Sequence, residues 1–396
     1  MHHRKVASWI FVTLCIMMLS IFFAIRTSNY VETPTLLLRN WHPNGGFHFN
    51  IAIINHAISA CEKSNHKLVV LLDSGLYKED RPHFMADNPY YNKFDWFSYY
   101  FEPINQTDKP LPDWKKWVDH NPSMKSITPS ELKQPMLGST LSYKRRIAPK
   151  TFTYASIENF YGIENGEDKY VEEFHRIWHQ YFRLRPHIQE MVDDFKHEHD
   201  FANKYVITFH YRGTDKYNNK HGYEDDAEHP PYEFCSALVK KIIKKSGRPL
   251  RDVVTFVATD EQPFIEHMKK ENVNAVFTDA IRSSVSTSGL DMDFSRCEQG
   301  EINVTQEGKV YNELIKQSVH RGMQDKSNYI KGRDVLVDAI LLSSGNVFIK
   351  SRGNVSNQAS WIGGPQMESV DLVDAFNAYK KKSQSGEDWR TIYDDL

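Results

Sequence analysis

Residues 68–72 are five consecutive apolar residues that end at Asp73. A strand with one wet face alternates apolar and polar side chains. An unbroken apolar run belongs to a strand covered on both faces, the pattern of a parallel sheet flanked by helices. Upstream, residues 35–38 form another apolar strand candidate, followed by Asn44-Gly45-Gly46 and then by Ile51, Ile54, Ile58 and Cys61 at helical spacing. Strand, glycine turn, helix and strand make a βαβ unit and predict a Rossmann-like layer architecture.

Beyond residue 79 the chain is rich in Pro, Tyr and Trp to about residue 150, with little periodicity. That stretch reads as long loops and short helices, some of them bordering a cleft. Helices are predicted over residues 171–184, with Phe174, Ile177, Trp178 and Tyr181 on one face, and after Pro186, with Ile188, Met191, Val192 and Phe195 inward. A second α/β half follows a divide near residues 186–204. Its strands are residues 205–209, which run into His210, residues 253–258, which end at Thr259-Asp260, and residues 347–349; residues 335–342 read as a buried helix. Residues 283–308, rich in Ser, Thr and Gly, read as a long loop. Ligands of open parallel sheets sit beyond the carboxyl ends of the strands, and polar clusters follow three strand ends here.

The first cluster is His210-Tyr211-Arg212-Gly213-Thr214-Asp215-Lys216. Arg212 and Lys216 supply the fixed positive charge that a diphosphate leaving group requires, and a guanidinium suits bidentate phosphate contacts. Asp215 would hold Arg212; otherwise the string is a solvated turn with an internal salt bridge. In the second cluster Asp260 either binds a ribose or base or caps the helix that begins near Pro263. In the third, Asp338 lies inside an apolar run and needs a partner: Arg333, Arg352, backbone N–H groups, or a ligand with two adjacent donors such as the guanine edge. Ser351, Arg352 and Asn354 then lie in a basic, hydroxyl-rich turn able to cup a diphosphate.

Charge is nearly balanced, 49 Lys plus Arg against 51 Asp plus Glu, so no global field favours nucleic acid as a partner. The amino terminus is distinctive. His2, His3, Arg4 and Lys5 precede an uncharged run over residues 7–25 that Arg26 closes. At a rise of roughly 1.5 Å per residue the run spans about 28 Å, one hydrocarbon thickness. Its length, and Phe22 and Phe23 where a cleavage site needs small residues, favour an uncleaved anchor over a signal peptide. The expected layout is a cytosolic tail (1–6), an anchor (7–26), a stem (27–34), a first domain (35–200), a second domain (201–380) and a polar tail (381–396). The body then lies in the secretory lumen, the Golgi in a eukaryote, or in the periplasm or cell envelope of a bacterium. Sequons at Asn105, Asn303 and Asn354 suit that placement. Cys61, Cys235 and Cys297 match no zinc pattern and allow one disulfide.

The three clusters, in this order over about residues 200–365, resemble the fucosyltransferase superfamily of α-1,6-, nodulation and protein O-fucosyltransferases. His210-x-Arg212-x-x-Asp215 is similar to its first donor motif, Ala258-Thr259-Asp260 to its second and residues 335–356 to its third. Gly45-Gly46-Phe47 and Tyr99-Tyr100-Phe101-Glu102-Pro103 are weaker echoes. The chain departs where α-1,6 enzymes carry Phe-Ser-Ser, with Arg352-Gly353-Asn354 instead. The resemblance implies a GT-B-like α/β fold of two facing Rossmann-like domains, with GDP-fucose in the second and transfer with inversion to a glycan or glycoconjugate hydroxyl without a metal. It further implies that Arg212 contacts the diphosphate beside His210 and that Asp338 reads guanine. By the same resemblance the base lies among Glu224, Asp225, Asp226 and Glu228 before His229-Pro230, with Asp225 the best match and Glu224 next. Asp291-Met292-Asp293 is an alternative metal-binding string. Another GDP-sugar as donor, or a non-catalytic anchored glycan- or nucleotide-sugar-binding protein, are the competing expectations.

Overall fold

The computed structural model of the 396-residue chain describes residues 35–39, 46–64, 67–72, 77–85, 88–91, 95–104, 124–125, 168–213, 229–286, 288, 319, 323 and 325–384. The small first sheet has β1 (Thr35–Arg39) at its centre, flanked by β2 (Lys67–Leu71) and β3 (Met124–Lys125), all parallel. Helix α1 (Phe47–Ser64) carries the chain from β1 to β2. Ile51, Ile54, Ile58 and Cys61, the stripe legible in the sequence, are all buried.

The second sheet is built from β4 (Tyr205–Tyr211), β5 (Val253–Thr259), β6 (Ala275–Val276), β7 (Val347–Lys350) and β8 (Glu368–Asp371). They are all parallel, in the order β6-β5-β4-β7-β8. The chain winds outward from β4 to β6, then returns to the other side of β4 for β7 and β8. A reversal of that kind leaves a crevice beside β4 at the carboxyl ends. Register makes those ends level, since His210 faces Ala258 on one side and Lys350 on the other.

Helices cover both faces, which explains the unbroken apolar runs. Helices α4 (Tyr232–Lys245), α5 (Gln262–Lys270) and α8 (Leu372–Gln384) pack against Phe209, Val257 and Ile349. On the opposite face lie α2 (Asp168–Tyr181), α3 (Pro186–Glu198), α6 (Asn328–Leu342) and α7 (Asn354–Gly363), with Phe256 and Phe348. That second core continues without a break into the first half, taking in Phe47, Ile51, Trp96 and Tyr100. Helix α1 packs on α2, α6 and α7, and α3 packs on α6.

Several boundaries differ from expectation. His210 lies inside β4, not after it. Helix α6 starts seven residues before the predicted Val335, because Ser327 caps it by accepting from Ile330 N. The supposed turn at 350–356 is only three residues long, and α7 begins at Asn354. Residues 96–101, expected near loops, are largely aromatic core. Cys61 and Cys235 are buried and form no disulfide with each other, and burial beside Glu62 raises the Cys61 pKa to about 12. Cys297, the anchor at 7–26 and the sequons at Asn105 and Asn303 fall outside the described residues. Among the described residues no helix is long and apolar enough to cross a membrane.

Candidate active site

The three clusters open onto one cleft, whose walls include His210, Arg212, Thr259, Asp260, Lys331, Asp334, Asp338 and Val355. Strand register brings the first two clusters together, and α6 supplies the facing wall.

Asp260 anchors the first cluster. It accepts from Gly213 N at 2.9 Å and pairs with Arg212 across 3.4 Å. It does not cap α5, whose N-cap residue is Glu261. Thus Asp260 does for Arg212 what Asp215 was expected to do. Glu261 is fully buried and accepts a 2.5 Å hydrogen bond from the Tyr232 hydroxyl. A Cβ on Gly213 would overlap the Glu261 carboxylate, so only glycine lets the chain pass here.

His210 is a buried neutral base. Its Nδ1 lies 2.7 Å from Ser356 Oγ and 2.9 Å from Ser351 Oγ. Burial first, then Arg212 and His48, lowers its pKa to about 3. Ser351, expected to touch phosphate, therefore orients this imidazole. Arg352 is held at 2.9 Å by Asp374 and at 3.6 Å by Asp371, on the β8–α8 side. Asn354 is the first residue of α7, and its Oδ1 is buried without a hydrogen-bond partner. The preceding Gly353, at φ 147°, adopts a backbone conformation natural only to glycine and gives α7 no side-chain cap.

Lys331, Asp334, Val335 and Asp338 follow helical spacing and form one stripe of α6 along the cleft. Asp334 accepts from Arg333 at 2.7 and 2.9 Å and from Ile281 N at 3.3 Å. Among the described residues Asp338 accepts only from Thr278 Oγ1, at 2.7 Å. Neither Arg333 nor Arg352 pairs with it. Burial raises its pKa to about 7, against the pull of Arg282 and the Thr278 hydrogen bond. A carboxylate this buried, with room for further donors, suits a ligand edge that supplies them.

Asp215, Lys216, Glu224, Asp225, Asp226, Glu228, Asp291 and Asp293 lie outside the described residues. Among the described residues no group of three or more His, Cys, Asp or Glu side chains is placed to hold a metal. Sequence reasoning left Lys331, Thr278, Arg282 and Glu261 unassigned. For Lys331 the signal existed, three and seven residues ahead of Asp334 and Asp338. The other three carried none.

No family model matches the chain, and no curated protein matches it. Among solved structures it resembles NodZ α-1,6-fucosyltransferase co-crystallised with GDP, at 14% identity and a TM-score of 0.45 over 83% of this chain and 92% of that one. The same enzyme soaked with GDP-fucose gives 14% and 0.42, over 84% and 93%. Fucosyltransferase NodZ from Bradyrhizobium gives 15% and 0.41, over 83% and 92%. At these values the likeness decides nothing about chemistry, which rests on the side chains above.

Proposed function

We propose that the chain is a glycosyltransferase of the GT-B-like, fucosyltransferase-related kind, taking fucose from GDP-fucose and passing it with inversion to a glycan or glycoconjugate hydroxyl. The supporting observation is that Arg212 and Asp338, chosen for opposite ends of a nucleotide diphosphate, line one cleft at the carboxyl ends of parallel strands. Arg212, braced by Asp260, neutralises charge on the pyrophosphate as the sugar leaves. The uncapped start of α7 turns N–H groups and the positive end of its dipole toward the same anion. Asp338 accepts from guanine N1–H and the exocyclic amine. A carboxylate among residues 224–228 removes the acceptor proton as its oxygen attacks. No metal is required in this scheme.

The chain is further proposed to be a single-pass protein held by residues 7–26, its body lumenal or periplasmic. Of the sequons, Asn354 is a poor acceptor for sugar in the folded protein because Ser356, the hydroxyl residue of that sequon, is buried against His210.

A thermal-shift panel on the full-length chain tests the donor class. GDP is expected to raise Tm more than UDP or CMP at equal concentration. GDP-fucose turnover should exceed that of GDP-mannose and disappear in Arg212→Ala. Unaltered turnover in a folded Arg212→Ala protein would refute the assignment.

A further inference from the structure

Lys331 is out of place as a structural residue. It is only 4% exposed, yet it lines the cleft, and while its backbone N–H donates to Ser327 O its ammonium makes no hydrogen bond or ion pair with any described residue. Its neighbours are committed elsewhere. Glu79 is taken by Arg81, Ser327 and Asn328 N. Asp325 pairs with Lys326 at 3.3 Å, and Asp334 with Arg333. Lys331 also sits in the first turns of α6, where the helix dipole repels a cation, and Arg81 repels it further. Asp325 and Glu79 pull the other way, but neither bonds the ammonium. A buried ammonium without a side-chain partner, at the wall of a cleft, suits an anionic ligand.

The stripe supplies the scale. Seven residues separate Lys331 from Asp338, about 10 Å along the axis at 1.5 Å per residue. That is the scale of a nucleoside diphosphate, with a base-reading carboxylate at one end and an ammonium at the other.

We infer that Lys331 is a second anion-binding residue of this cleft, which takes the pyrophosphate of the donor from the α6 side while Arg212 takes it from the β4 end. The position of the base rests on the proposed reading of Asp338; the pyrophosphate contact does not. Burial first and then Arg81 lower the Lys331 pKa, against the pull of Asp325 and Glu79, and a bound anion would favour the charged form further.

The test uses full-length wild type and Lys331→Met, titrated with inorganic pyrophosphate, GDP, UDP and guanosine. Lys331→Met should lose roughly tenfold to a hundredfold affinity for pyrophosphate and GDP, as for a charge-assisted contact, and keep that for guanosine. Its Tm without ligand should match or exceed that of wild type, because an unpaired buried charge has gone. Equal GDP and pyrophosphate affinity in the two proteins would overturn the inference and leave the guanine reading standing. Pyrophosphate loss in the variant, with no preference of wild type for GDP over UDP, would uphold the inference and sink the guanine reading. A lowered Tm with guanosine weakened equally would make Lys331 structural and overturn it, as would wild type that binds no pyrophosphate.

Discussion

Asp338 couples ligand binding to pH. Burial raises its pKa from the ordinary carboxylate 3.8 to about 7, so at neutral pH it is about half ionised, and only the ionised form accepts from two guanine donors. GDP affinity should therefore fall roughly tenfold per pH unit below pH 7, measurable by calorimetry between pH 5.5 and 8; a flat profile would remove Asp338 from the contact. Stability without ligand runs the other way. Because the folded value is the higher one, this group's contribution is complete below pH 4 and is lost as pH rises through 7. Asp338→Asn, which keeps the shape and an acceptor for Thr278, should accordingly raise Tm at pH 8 and change it less at pH 5. Asp338 stood out in the sequence because an acid inside an apolar run demands a partner. Thr278 did not, since a hydroxyl in a polar stretch looks like any other.

At the scale of elements, α6 is the one whose surroundings are most exacting. It is apolar on several sides and polar along the cleft. Gly332 lets it approach the first half, because a Cβ there would overlap the Tyr100 hydroxyl, which donates to Tyr329 O at 3.0 Å. Gly332→Ala should therefore destabilise by about 1–3 kcal/mol, the usual range for overpacking. Ser327→Ala, which removes the cap, should cost about 1 kcal/mol. Urea unfolding would measure both, and wild-type stability in Gly332→Ala would show that the two surfaces yield. The body of this helix was legible from its apolar run. Its first two turns were hidden, because Lys331, Gly332, Arg333 and Asp334 break the pattern for reasons of site and packing. Helix α7 was missed for a similar reason, since Gly353 and two serines read as a turn.

On the scale of the whole molecule, the two sheets share a core. Tyr100 stacks on Tyr329 at 5.5 Å, and Phe47 packs between Tyr77, Trp96 and Tyr100. Unfolding followed by tryptophan fluorescence and by far-UV circular dichroism should give one coincident transition; two separated transitions would show that the halves are independent. The parallel sheets were legible because strands covered on both faces leave unbroken apolar runs. The seam between the halves was not, because interlocked aromatic and polar side chains have no period. At that seam Glu79, from the first half, accepts from Asn328 N at 2.8 Å at the start of α6, while Thr208 of β4 donates to Leu342 O at 2.7 Å at its end. The wall that carries Lys331 and Asp338 is thus pinned at both ends, one end to each half. It behaves as a doorframe, and any widening of the entrance falls to the strip whose Thr278 and Ile281 donate to Asp338 and Asp334.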